Sequence, residues 1–252
     1  MKLTFLGTGD AAGVPVYGCE CSACQRAMQL PSYQRKNCSA LLESTQTCLL
    51  LDAGLTDLCQ RFAPNSLSAI VLTHFHPDHV QGLFHLRWGK GEKIQVYCPP
   101  DPEGCADLYK NSGLLEFNPL EPFKPRILGD LQFTPLPLIH SKLTFGYLIE
   151  NQMGQKIAYL TDTVGLPQAT LDFLSQVSLA ALVIDCSHPP DVQGRNHNNL
   201  AQVLDLAAYL KPQKTWLTHI SHEMDLWLMQ NQLPEHVEIA YDQHMLSFCD
   251  SF

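Results

Sequence analysis

The stretch THFHPDH, Thr73 to His79, constrains this chain more than any other. Three histidines and an aspartate fall within seven residues, directly after the apolar run SAIVL. Residues two apart on an extended chain face the same way, so His74 and His76 converge on one ion where the strand ends. Pro77 stops the extended segment and suits a first helical position, which aims Asp78 and His79 into the same place from a helix start, as donors to a second ion. A lone histidine on an apolar face is usually a satisfied core residue. H-x-H-x-D-H spacing is instead a ligand pattern.

Further donors occur at similar places. His140 closes FTPLPLIH, Asp162 closes KIAYLTD and His219 closes KTWLTH, so each projects from a strand-like terminus toward a common rim. A carboxylate can bridge cations about 3.5–4 Å apart. Asp162 is therefore the expected bridge between a His74/His76/His140 metal and an Asp78/His79/His219 metal. Imidazole and carboxylate donors suit manganese, iron or zinc.

A second cluster lies in GCECSACQ, where Cys19, Cys21 and Cys24 form C-x-C-x-x-C in a Gly/Pro-bounded segment read as a tight loop. Three thiolates so spaced reach one tetrahedral zinc, a structural one, with a fourth ligand from elsewhere; His222 of THISH is a candidate. A disulfide between two of them is the alternative reading, disfavoured in a reducing compartment. The scattered Cys38, Cys48, Cys59, Cys98, Cys105, Cys186 and Cys249 read as packing residues.

Strand-like runs KLTFLG, TCLLLDAG, AIVLTH, IQVYC, LQFTPLPL, FGYLIE, KIAYLTD, AALVIDCS and KTWLTHIS alternate with helical candidates around GLTDLCQRF, after Asp78, and at PQATLDFLSQV, NNLAQVLDLAAYL and EMDLWLMQNQ. The chain is predicted to be mixed α/β. The proline-rich CPPDPEG and NPLEPFKPR read as loops, neither long nor polar enough for a linker, so residues 1–252 are expected to form a single domain carrying a zinc-binding loop near 19–24.

A formal net charge of -9 opposes extended phosphate-backbone contact, and hence nucleic-acid binding. No apolar run approaches the roughly 20 residues of a membrane span, and none resembles an export signal, so a cytoplasmic location without membrane association is expected. LGTG near the N-terminus lacks the rest of a dinucleotide fingerprint or P-loop, which disfavours a nucleotide cofactor.

THFHPDH, the later His140, Asp162 and His219, the early LGTG and the LLLDAG run resemble the metallo-β-lactamase superfamily over essentially the whole chain, in that superfamily's order. The resemblance implies an αββα sandwich, two mixed sheets flanked by helices, with a binuclear site at one edge. More narrowly, GCECSACQ, HSKLTFGYL, TDTVGLP, DCSHPP, RNHNNL and LTHISH are similar to the PhnP family, phosphoribosyl cyclic phosphodiesterases of the carbon–phosphorus lyase pathway in phosphonate catabolism. That family opens 5-phospho-α-D-ribosyl 1,2-cyclic phosphate to α-D-ribose 1,5-bisphosphate, generally with manganese. The resemblance thus implies two Mn2+ (Zn2+ or Fe2+ in their place) on His74, His76, Asp78, His79, His140, Asp162 and His219. It further implies one structural Zn2+ on Cys19, Cys21, Cys24 and His222, a homodimer, and His197 as general acid. No ligand position departs from the pattern.

The chemistry is coherent on its own terms. Two cations lower the pKa of water into the neutral range and neutralise non-bridging phosphate oxygens. An alkoxide leaving group still needs a proton, which an imidazole, with an ordinary pKa of about 6.5, supplies near neutrality. His197 suits that role, with His188 the rival; a solvated loop histidine is the plainer reading. Asp52 and Asp185 are candidates to hold the far nitrogens of site histidines, or they merely terminate strands. Ser141 and Lys142, which follow His140, and Arg195 are weaker candidates for phosphate contact. Rival substrates are a tRNA 3′ end, disfavoured by the acidic balance, a 2′,3′-cyclic nucleotide, a thiol ester and a β-lactam; a metal-dependent binding module is the non-enzymatic alternative.

Overall fold

The computed structural model describes residues 1–248. The period-two alternation of the strand-like runs becomes two mixed seven-stranded sheets packed face to face. The first sheet runs β14 (Met245–Ser247), β1 (Lys2–Gly7), β2 (Ser39–Glu43), β3 (Cys48–Leu51), β4 (Ala69–Val71), β5 (Ile94–Cys98), β6 (Leu115–Pro119). It is antiparallel as far as β3 and parallel beyond it. The second runs β13 (Val237–Ile239), β12 (Thr215–Thr218), β11 (Ala181–Asp185), β10 (Lys156–Leu160), β9 (Phe145–Asn151), β8 (Leu131–Pro137), β7 (Arg126–Leu128), parallel from β13 to β10 and antiparallel from there.

Alternation decides which face each residue covers. Leu49 and Leu51 of β3, Ala69 and Val71 of β4, and Ile157 and Tyr159 of β10 enter the core between the sheets. Leu50 and Ile70 point the other way, under α2 (Leu58–Arg61), α3 (Pro77–Val80), α4 (Leu83–Leu86) and α5 (Ala106–Lys110). Ala158 and Leu160 likewise lie under α6 (Gln168–Ser175), α7 (Leu200–Leu210) and α8 (His222–Leu228). The result is an αββα sandwich, as expected. Among the described residues no helix is long and apolar enough to cross a membrane.

Every predicted strand is present, as β1, β3 to β5 and β8 to β12. The four sheet edges, β6, β7, β13 and β14, are all unpredicted, because an edge strand buries little and carries a weak pattern. Two of them correct the loop reading of NPLEPFKPR: Asn118 and Pro119 end β6 and Arg126 begins β7. Pro119 is tolerated there since an edge strand has a free flank. β2, SALLE, is central only by virtue of pairing with β1 and β3.

Cys38, Cys98 and Cys186 are fully buried, while Cys48 and Cys105 are half-buried. Cys59 corrects the packing expectation: it is exposed on α2, beside buried Leu58 on the short helix's outer face. Cys249 lies outside the described residues.

Candidate metal centre

Segments leaving β3, β4, β8, β10, β11 and β12 meet at one edge of the sandwich. β4 stops at Val71, so the strand-like run AIVLTH is shorter than expected, and His74 and His76 lie just beyond its end, where the chain leaves the apolar run. The alternation persists regardless, because Phe75 between them is buried against Tyr109 and Phe117. His76 precedes α3 in extended conformation, Pro77 occupies its first position, and Asp78 and His79 follow in its turn. A Cβ on Gly54, just after Asp52, would come within 2.1 Å of the Asp78 carbonyl. Only glycine lets the chain leaving β3 approach α3 so closely.

Asp52, Asp162 and His219 each adopt the left-handed conformation, φ 58°, 61° and 57°, just beyond the ends of β3, β10 and β12. Such positions cost non-glycine residues on the order of 1 kcal/mol or more each and tend to gather at functional sites. Here the reversal turns their side chains into the shared edge.

The donors converge as two triads. His74, His76 and His140 form one and Asp78, His79 and His219 the other, the ligand atoms of each lying within 4.8 Å of one another. In the first, His76 Nδ1 is 2.9 Å from His74 Nε2 and 3.0 Å from His140 Nε2. Asp162 faces both triads. Its Oδ1 is 3.8 Å from His74 Nε2, 3.7 Å from His140 Nε2 and 3.3 Å from His219 Nε2, and its Oδ2 is 3.1 Å from His79 Nε2.

The outer nitrogens explain the orientation. His79 Nδ1 lies 2.8 Å from Asp52 Oδ2, His74 Nδ1 3.0 Å from Thr73 Oγ1, His219 Nδ1 3.0 Å from Ser187 Oγ and His140 Nδ1 3.1 Å from the Asn196 carbonyl. Asp52 is itself fixed by the Thr73 amide at 2.7 Å and hydroxyl at 2.8 Å. Each ring that donates outward from Nδ1 keeps Nε2 free to ligate. His79 Nε2 and His219 Nε2 are buried and have no hydrogen-bond partner, which fits a cation between them and the carboxylates. Thr73, Ser187 and the Asn196 carbonyl were not singled out in the sequence; hydroxyls and carbonyls carry no signal there until folding places them.

Charge divides between the triads. Burial holds His74 well below its ordinary pKa, and also lowers His76 and His140, favouring neutral imidazoles. Burial acts against charge on His79 as well, yet the Asp162 and Asp52 carboxylates hold it well above its ordinary value. His219 is likewise pushed up to about 10 against burial, by Asp162 and Asp78. Asp78 and Asp162 overcome their own burial and lie well below the usual carboxylate range because of these histidines.

His197 stands beside the cluster. Its ring stacks on His219 with centroids 4.7 Å apart, and its Nδ1 is 2.7 Å from Asp185 Oδ2. Asp185 also accepts the Thr163 amide at 3.0 Å and the Ser187 hydroxyl at 3.0 Å, linking His197 to the residue that orients His219. The rival His188 packs against Gly194 and its backbone pairs with Asn198 and Leu200. Ser141 Oγ is 3.4 Å from His76 Nε2, and the charge of Lys142 reaches His76. Arg195 is exposed on the loop leading to His197.

The cysteine cluster is assembled by two helices. Cys21 caps α1 (Ser22–Gln29), whose first turn holds Cys24, so Cys24 is helical rather than part of a loop as expected. His222 begins α8, with Nδ1 3.4 Å from Cys19 Sγ and 3.5 Å from Cys21 Sγ. All four ligand atoms lie within 4.8 Å of one another, and the cysteines are free thiols. Burial opposes ionisation of Cys21, but the Cys24 amide and His222 bring it down to about 6. Burial, together with the Cys21 and Cys19 sulfurs, pushes Cys24 up to about 12. Three sulfurs and one imidazole this close are a donor set for one cation, and soft sulfur with one imidazole fits zinc.

Two mixed sheets bearing paired donor triads at one edge define a metallo-β-lactamase-fold hydrolase. Residues 47–220 match the model of the beta-lactamase superfamily domain, and the chain belongs to that family. It is similar to a crystal structure described as a new diphosphatase from the PhnP family, at 28% identity and TM-score 0.83, covering 98% of this chain and 96% of that one. An octanoyltransferase of Porphyromonas gingivalis is 28% identical over 272 residues, 96% of this chain and 50% of its own length. A ribonuclease Z of Methanopyrus kandleri is 28% identical over 158 residues, 60% of this chain and 50% of its own length. The chain spans about half the length of these curated relatives.

Proposed function

We propose that this chain is a binuclear-metal phosphodiesterase that hydrolyses 5-phospho-α-D-ribosyl 1,2-cyclic phosphate to α-D-ribose 1,5-bisphosphate, a step of phosphonate catabolism. The observation that carries the reading is the pair of triads facing one carboxylate, Asp162, with a carboxylate-held histidine alongside. The choice of a ribosyl cyclic ester, and of manganese, rests on similarity to the PhnP family.

In this reading His74, His76 and His140 would hold one cation and Asp78, His79 and His219 the other, with the Asp162 carboxylate available to both. The cations supply charge for the phosphate oxygens and lower the pKa of water. The chain's residues do the rest. Thr73, Asp52, Ser187 and the Asn196 carbonyl keep the imidazoles in the ligating orientation. Asp185 holds His197 by its Nδ1, so that Nε2 is the nitrogen that carries the proton donated to the departing sugar oxygen. In this reading Ser141 and Lys142, beside His76 of the first triad, take phosphate oxygens, with Arg195 further out.

His197→Ala is expected to lower kcat on the order of 10²–10⁴-fold while two active-site metals per chain remain by elemental analysis. Parallel loss of metal would make His197 a ligand or a folding residue. The sulfur site should behave differently from the oxygen and nitrogen site. A mild chelator is expected to strip both active-site ions and leave one zinc bound, because thiolates hold zinc more tightly than mixed imidazole and carboxylate sets hold manganese. Simultaneous loss of all the metal would argue against two distinct kinds of site.

The reading is tested by phosphorus NMR of the manganese-loaded protein with the ribosyl cyclic phosphate, beside a 2′,3′-cyclic nucleotide and a precursor tRNA. Selective opening of the first supports the assignment. Faster cleavage of either of the others would leave the metal centre in place and overturn the substrate.

A further inference from the structure

On the reading that this site cleaves a ribosyl phosphodiester, the geometry points to Asp10 as the residue that receives a sugar hydroxyl of the substrate. Asp10 ends the glycine turn after β1, and the turn is pinned to the metal edge. The Asp10 amide donates to the Ile220 carbonyl at 3.2 Å, immediately after His219, and the Gly9 amide donates to the Lys36 carbonyl at 2.7 Å. From the other side Asn37 Nδ2 donates to the Asp10 and Ala11 carbonyls, both at 3.0 Å.

Within this clamp the carboxylate is held by one oxygen. Asp10 Oδ1 accepts the amides of Ala12 and Gly13, each at 3.0 Å, whereas Oδ2 has no hydrogen-bond partner among the described residues. The turn lies against the reaction edge, because Ile220, the residue after His219, accepts the Asp10 amide and donates its own amide to the Thr8 carbonyl at 2.8 Å. Ala11 and Ala12 beside Asp10 are exposed, which leaves the approach open.

The chemistry of the surroundings selects what Oδ2 meets. Cations, imidazoles and Lys142 attract phosphate oxygens; a carboxylate repels them. Its position is productive toward a donor, and the donors on a phosphorylated sugar are its hydroxyls. A polar group placed to pair with a substrate hydroxyl discriminates against an analogue that lacks it. Asp10 therefore separates sugar phosphodiesters from simple alkyl or aryl diesters at the same metals.

The test uses full-length manganese-loaded protein hydrolysing bis(4-nitrophenyl) phosphate, with α-D-ribose 1-phosphate and methyl phosphate as competing inhibitors. Both are phosphate monoesters, but only the first carries hydroxyls. Asp10→Asn keeps an oxygen for the Ala12 and Gly13 amides and removes the charge; Asp10→Ala removes the group. In both variants the preference for ribose 1-phosphate over methyl phosphate should fall about tenfold, the loss of one charge-assisted hydrogen bond. Methyl phosphate itself should bind equally well or more tightly, since a repelling charge has gone. Equal shifts for both inhibitors, or a wild-type protein with no preference, would overturn the assignment. If wild type shows an Asp10-dependent preference yet opens no ribosyl cyclic phosphate, the substrate reading fails and Asp10 stands. If it opens that substrate with the preference unchanged in the variants, Asp10 alone fails.

Discussion

Asp162→Asn is expected to lower kcat on the order of 10³-fold or more and to leave the protein unable to retain two active-site metals. Asparagine is the informative substitution because it tolerates the left-handed backbone, φ 61°, that this position requires. What it removes is the charge that faces both triads. Asp162 is the group that His79 and His219 meet at 3.1 and 3.3 Å, and it is the foremost attraction raising their pKa values. A metal must displace protons from these nitrogens, so apparent metal affinity in the wild type should rise with pH. For His219 that competition is strongest below its raised value of about 10 and fades above it. In the variant both imidazoles lose the largest of their counter-charges, keeping those of Asp52 and Asp78, and the pH dependence moves to lower pH. Elemental analysis and metal titration at several pH values measure this; full metal content with an unmoved pH profile would refute the bridging role.

Asp225→Asn should destabilise the fold by about 3–5 kcal/mol, read as a shift of the urea midpoint. Arg35 and Asp225 form a buried bidentate pair, Nε to Oδ2 at 2.7 Å and Nη2 to Oδ1 at 2.9 Å, with side chains 2% and 5% exposed. Arg35 Nη1 also donates to Thr8 Oγ1 at 2.9 Å and to the Ala240 carbonyl at 2.7 Å. Breaking the pair leaves a guanidinium buried without its counter-charge, a large fraction of the roughly 5–15 kcal/mol that holds a typical domain together. The damage reaches the cysteine cluster, because Asp225 lies one turn along α8 from His222, and Arg35 pairs through its backbone with Val14, on the approach to Cys19. Removing both charges as Arg35→Met with Asp225→Leu should recover most of the stability, since an apolar pair replaces two buried ions without leaving one unpaired. A loss under about 1 kcal/mol for the single variant would show that the pair behaves as a surface bridge.

Much of the fold was legible because burial on both faces leaves a pattern. LLL of β3 and IAYL of β10 read as strands since each residue packs on one side or the other of a sheet. SALLE did not, because its alternation is short and its central place comes from pairing with β1 and β3. The edges were silent for the reason already given. The histidines declared themselves through spacing, whereas Arg35 gave no sign of burial, its partner Asp225 lying 190 residues away.

By itself the sequence determined the kinds of donor available and the points where each leaves its strand. A run that buries both faces must end in a turn, and His74, His76, Asp78, His79, His140, Asp162 and His219 stand at or just beyond such ends. Only the tertiary structure decided that seven side chains from four separate segments form two triads around one carboxylate. Only it decided that His197 rather than His188 stands beside them, and that the turn holding Asp10 is pinned next to His219. Those are distances between segments far apart in the chain. They depend on sheet order, on left-handed turns at Asp52, Asp162 and His219, and on hydroxyls and carbonyls that aim the imidazoles, none of which a local pattern encodes.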